Sequence, residues 1–112
     1  MTDKQFNTLF SAALSSDDRD AFVSDSTLSA IWGDPESAEI PPERIAAVSG
    51  IWDAAHASIR DIRACTGLTQ AAFCTRFCIP RRTVEDWEAG RRSCPDYVRL
   101  LLAQAAGVYT RP

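Results

Sequence analysis

A chain of 112 residues with 46% hydrophobic content can bury one compact core, or a small domain with an N-terminal extension, and it holds no run of 18 apolar residues able to span a bilayer. The first residues, MTDKQFNTLF, lack the basic region and apolar run of a signal peptide, so a cytoplasmic location with the four cysteines reduced is expected. The net charge of −3 conceals an asymmetry, −6 over residues 1 to 50 and +3 over residues 51 to 112, where nine arginines and no lysine face six acids.

Thr2 to Gln5 has the form of a capping box, and Phe6, Leu9, Phe10, Ala13 and Leu14 recur at helical spacing up to about Ser15. Ser16, Asp17 and Asp18 open a second helix whose inner face is predicted to carry Ala21, Phe22, Leu28, Ile31 and Trp32, with a possible division at Ser24 to Ser26 and a stop at Gly33. Residues 34 to 41, DPESAEIP, read as an exposed loop. Pro42 suits the first position of a helix. Ile45, Val48, Trp52, Ala55, Ile59 and Ile62 then form a seam, either on one helix from 42 to 65 or on two broken at Ser49-Gly50. Gly67 closes this segment as a left-handed cap.

From Gly67 to Gly90 the sequence GLTQAAFCTRFCIPRRTVEDWEAG predicts two short helices joined by a sharp turn. Phe73 and Phe77 share one face of the first, and Pro80 breaks the period. In the second, Val84 and Trp87 face inward and Arg81, Arg82, Thr83, Glu85 and Asp86 are left to an outer face. Past Gly90, RRSCP is a basic loop, and Pro95-Asp96 opens a last helix bearing Val98, Leu101, Leu102 and Ala105, with a stop at Gly107. The fold class is all-α, with six or seven helices.

The run LTQAAF followed by CIPRRTVEDWEAG and a further arginine pair resembles the helix-turn-helix of the lambda-repressor-like (Cro and XRE) DNA-binding domains. Thr69-Gln70, Trp87-Glu88, Gly90 and Arg91-Arg92 carry the match, which covers about residues 55 to 107. The resemblance implies a lambda-repressor-like helical bundle over residues 42 to 112, preceded by an acidic helical extension over residues 1 to 41. It implies a transcriptional regulator, most simply a repressor, that binds double-stranded DNA as a homodimer on a two-fold operator.

In the resembled family the start of the third helix enters the major groove. That makes Arg81, Arg82, Thr83 and Asp86 the candidates for base contacts, with Asp86 either accepting from cytosine or orienting Arg82. Thr69, Gln70, Arg91 and Arg92 are the candidates for phosphate contacts. The family pattern also places Arg63 and Glu88 as a partly buried structural ion pair. Cys74 stands where the family has a small alanine, Cys78 where it has a turn glycine, and Ala89 where a polar residue is common.

Cys65, Cys74, Cys78 and Cys94 provide four thiols but no C-x2-C knuckle, so no metal is expected. His56, the single histidine, is expected to be exposed or capping. With no nucleophile motif, phosphate loop or carboxylate pair, neither an enzyme nor a cofactor is expected. The alternative to a DNA-binding regulator is an antitoxin-like interaction module, in which residues 1 to 50 meet a protein partner through Phe6, Phe10, Phe22 and Trp32.

Overall fold

The computed structural model describes residues 1 to 35 and 38 to 112; Glu36 and Ser37, within the expected loop, lie outside the described residues. Every regular element among the described residues is helical: α1 (Asp3–Leu14), α2 (Arg19–Thr27), a 3-10 turn (Ala30–Trp32), α3 (Pro42–His56), α4 (Ile59–Thr66), α5 (Gln70–Phe77), α6 (Arg81–Ala89) and α7 (Asp96–Ala105). None is long and apolar enough to cross a membrane. The chain divides into two compact units, residues 1 to 56 and residues 57 to 111.

The first unit is built on α3, against which both α1 and α2 pack. Local chemistry starts each of its early helices. Thr2 accepts from the Gln5 backbone N–H at 3.0 Å while Gln5 Oε1 accepts from the Thr2 N–H at 2.9 Å, and Asp18 caps α2 by accepting from Ala21 N–H. Phe6, Leu9, Phe10 and Ala13 of α1, Phe22 of α2 and Val48, Ile51 and Ala55 of α3 are buried. Phe6, Phe10 and Phe22 are therefore core residues and not the exposed anchors that a partner-binding surface would need. Trp32 is half-buried, its indole N–H donating to Ser26 O at 2.8 Å and its ring covered by the Arg44 guanidinium at 4.5 Å. Arg44 is in turn held by Asp34.

Three expectations change here. The boundary expected at Pro42 falls after His56, because α3 belongs to the first unit. Leu28 is exposed and not inward, because α2 ends at Thr27 and the chain turns before Ser29 caps the 3-10 turn. The break in the segment from 42 to 65 lies at Ala57-Ser58, and Gly50 stays inside α3. Ser58 starts α4 with a reciprocal pair, its hydroxyl accepting from Asp61 N–H and the Asp61 carboxylate accepting from Ser58 N–H, both at 3.0 Å. Within α3 itself the buried face is Val48, Ile51 and Ala55, while Ile45 of the expected seam is exposed. His56, at the last turn of α3, stacks on Trp52 and bonds the Ala13 carbonyl through Nε2 at 2.7 Å.

In the second unit α4, α5, α6 and α7 enclose Ile59, Ile62, Phe73, Cys74, Val84, Leu102 and Ala103, with Phe77 and Trp87 partly buried at the edge. Within α7 the inward residues are Leu102 and Ala103. Leu101 and Ala105 are exposed. Three leucines in a row, Leu100 to Leu102, carry no period, so packing on α4 selects the face. Gly67, at φ 71°, closes α4 as expected.

Candidate nucleic-acid interface

Helices α5 and α6 pack together and are joined by Cys78, Ile79 and Pro80. Thr69 caps α5, its hydroxyl accepting from Ala72 N–H at 3.1 Å. At the far end Cys78 adopts φ 56°, ψ 38°, and its N–H and that of Ile79 both turn back to the Cys74 carbonyl. This is the left-handed region, where a Cβ costs about 1–2 kcal/mol and glycine is at ease. Because Cys78 is exposed, no packing is lost by removing its thiol. Cys78→Gly is accordingly expected to stabilise the protein by about 1 kcal/mol, net of the extra freedom glycine has when unfolded. The check is a higher urea midpoint at unchanged slope; a lower midpoint would contradict the strain.

Pro80 precedes α6 without a side-chain cap, and Thr83 and Val84 N–H return to its carbonyl. The first turn of α6 therefore presents Arg81, Arg82 and Thr83 together, with Thr83 half-buried and both arginines exposed. Gly90, at φ 77°, ends the helix, and Arg91 and Arg92 N–H donate to the Asp86 carbonyl at 2.9 and 3.3 Å. That fold-back sets the second arginine pair beside the outer face of α6.

Each of these arginines meets an acid. Arg81 Nε lies 3.2 Å from Glu85 Oε1. Arg82, Arg91 and Arg92 share Asp86, with Nε at 3.5, 2.8 and 3.8 Å from its oxygens, of which the Arg91 contact is a hydrogen bond. The Asp86 side chain is only 9% exposed, while the four arginine side chains are between 58% and 83% exposed. The Arg91 hydrogen bond, together with the charges of Arg82, Arg91 and Arg92, holds the Asp86 carboxyl below the usual carboxylate range against the opposing effect of burial. Asp86 is thus positioned to orient Arg82, and its carboxylate is turned inward to the arginines and away from solvent.

Behind this face Glu88 ties three helices together. Arg63 of α4 donates from Nε and Nη2 to its two oxygens at 2.9 and 2.7 Å, Arg60 approaches to 3.6 Å, and Gln70 at the start of α5 adds a side-chain hydrogen bond. The Glu88 side chain is 3% exposed. Arg63 chiefly, then Gln70 and Arg60, lower its carboxyl, while burial works the other way. Gln70 is half-buried at the start of α5, beside the Thr69 cap. Arg60, one turn before Arg63, was missed in the sequence; the i,i+3 spacing of the two arginines was its signal.

Among the described residues no three metal-capable side chains come together. Cys74 is buried, Cys65 and Cys78 are exposed, and burial pushes the Cys94 thiol up to about 11. No protein-family model, curated protein or solved structure matches the chain.

Proposed function

We propose that the chain is a sequence-specific DNA-binding regulator, most simply a repressor, whose second unit is a lambda-repressor-like helix-turn-helix domain. In this reading α5 and α6 are the motif and α6 is the recognition helix. The observation that carries it is the cluster of Arg81, Arg82, Arg91 and Arg92, exposed at the start of α6 and just beyond its end, with their acid partners on α6 itself. Residues 57 to 111 hold nine arginines, no lysine and five acids, a net charge of +4, so the polyanion-facing charge is concentrated in this unit.

Arg81, Arg82 and Thr83 would face base edges, the arginines in bidentate contact with guanine O6 and N7. Arg91 and Arg92 would bind phosphate, and the N-terminus of α5 at Thr69 would add backbone donors to a neighbouring phosphate. Asp86 fits an orienting role better than a base contact, because its carboxylate is buried among the arginines. Two copies on a two-fold site would place half-site centres about one helical turn apart. Occupancy would repress by excluding polymerase.

Titration of a fluorescent random-sequence duplex at several salt concentrations tests the electrostatic part. With four arginines near phosphate or groove, the logarithm of the association constant is expected to fall against log salt with a slope of about −3 to −4 per protomer. Binding that ignores salt would contradict the proposal.

A further inference from the structure

The exposed arginines share an internal contact whose geometry is specific. A guanidinium offers a side edge that includes Nε and an end edge formed by its two terminal amino groups. In the buried pair Arg63 spends its side edge fully, giving both Nε and Nη2 to Glu88. On the α6 face all four arginines are met at Nε as the closest point, Arg81 by Glu85 and the other three by Asp86. Between 58% and 83% of each of these four side chains stays open to solvent.

Asp86 also links two pieces of chain that α6 separates. Arg82 comes from its first turn, while Arg91 and Arg92 follow Gly90; the Asp86 carboxylate faces all three side chains and its carbonyl accepts both later backbone N–H groups. One nearly buried residue thereby sets the spacing between the two arginine pairs. An acid placed on a DNA-facing helix only for solubility would be expected outside, where it repels phosphate.

We infer that Asp86 is a specificity-determining positioning residue, hydrogen-bonding Arg91 and drawing Arg82 and Arg92 to the same carboxylate, so that the exposed ends of the three side chains meet double-stranded DNA in a set pattern. This role rests on the reading of α6 as the recognition helix. It makes an acid beneficial to sequence discrimination although it opposes affinity in general.

The test compares Asp86→Asn with wild type on the preferred duplex and on random duplex, after selection of the preferred site with wild-type protein. The substitution removes one negative charge from the face, so binding to random duplex is expected to tighten and its salt slope to steepen by up to about 1. The ratio of preferred to random affinity is expected to fall roughly tenfold, the scale of one lost bidentate contact. If both affinities rise together and the ratio holds, Asp86 is only a repulsive bystander and the role is overturned. Arg82→Lys, at an exposed position, gives a second route should Asp86→Asn fail to fold. Lysine keeps the charge but has no Nε–H edge and no fork, so the ratio is expected to drop comparably. A retained ratio in Arg82→Lys would equally overturn it. A wild-type protein with no preferred duplex removes the recognition-helix reading itself, an outcome distinct from a preferred duplex that Asp86→Asn reads unchanged.

Discussion

The double substitution Arg81→Ala and Arg82→Ala is expected to weaken binding to the preferred duplex by about 100-fold or more, because each bidentate arginine contact contributes about 1–3 kcal/mol of discrimination. The fold should survive. Both side chains are exposed, and what they lose within the protein is one i,i+4 pair each, with Glu85 and with Asp86. Surface pairs of this kind contribute about 0.3–0.5 kcal/mol. Asp86 keeps its 2.8 Å hydrogen bond from Arg91. Titration of a labelled preferred duplex alongside circular dichroism separates the two effects. Wild-type affinity in the double variant would remove the start of α6 from the interface.

Glu88→Ala carries the second large effect, a loss of about 3 kcal/mol in stability, since it strands Arg63 and unlinks α4, α5 and α6 at one point. The urea midpoint should fall accordingly, and with it DNA binding at temperatures where the second unit melts. A charge-neutral variant, Glu88→Gln, isolates the pH dependence. The Glu88 carboxyl is lowered in the folded protein, so the stability it contributes is complete above the unfolded carboxylate value near 4.3 and is lost as pH falls through the lower folded value. The stability gap between wild type and Glu88→Gln is therefore expected to be constant above about pH 5 and to close on further acidification. A gap that stays constant down to pH 2 would show that the carboxylate is not preferentially ionised by folding.

Features set by neighbouring residues were legible in the sequence. The Thr2–Gln5 capping box, the stop at Gly33, the left-handed cap at Gly67 and the proline start of α3 each depend on a few adjacent side chains, and all stand where expected. In the seam from Ile45 to Ile62, Val48, Ala55, Ile59 and Ile62 are buried as expected, and what was misplaced was the alternative break in its helix axis, at Ser49-Gly50. Ser58 interrupts that axis with a capping box whose reciprocal residue is aspartate, a weaker sequence signal than the usual glutamate or glutamine. Phe6, Phe10 and Phe22 were ambiguous between core and docking surface, because an amphipathic stripe does not say what covers it.

The arginine cluster was legible only in part. Sequence spacing puts Glu85 and Asp86 four residues after Arg81 and Arg82, yet the contribution of Arg91 and Arg92 to the same carboxylate depends on the fold-back at Gly90. Likewise Glu88 meets Arg63 across 25 positions, and that pairing came from the family resemblance and not from any local rule. Cys78 at positive φ follows the same logic: the turn geometry demands glycine-like freedom that the residue itself does not advertise.

The most direct measurement is selection of bound duplexes from a random pool with wild-type protein, repeated at two salt concentrations and read by sequencing. The expected result is one enriched motif with two-fold symmetry, half-sites about one helical turn apart, and guanines at the positions facing Arg81 and Arg82. A pool that stays random through successive rounds, with uniform retention that vanishes at the higher salt, would contradict sequence-specific recognition by α6.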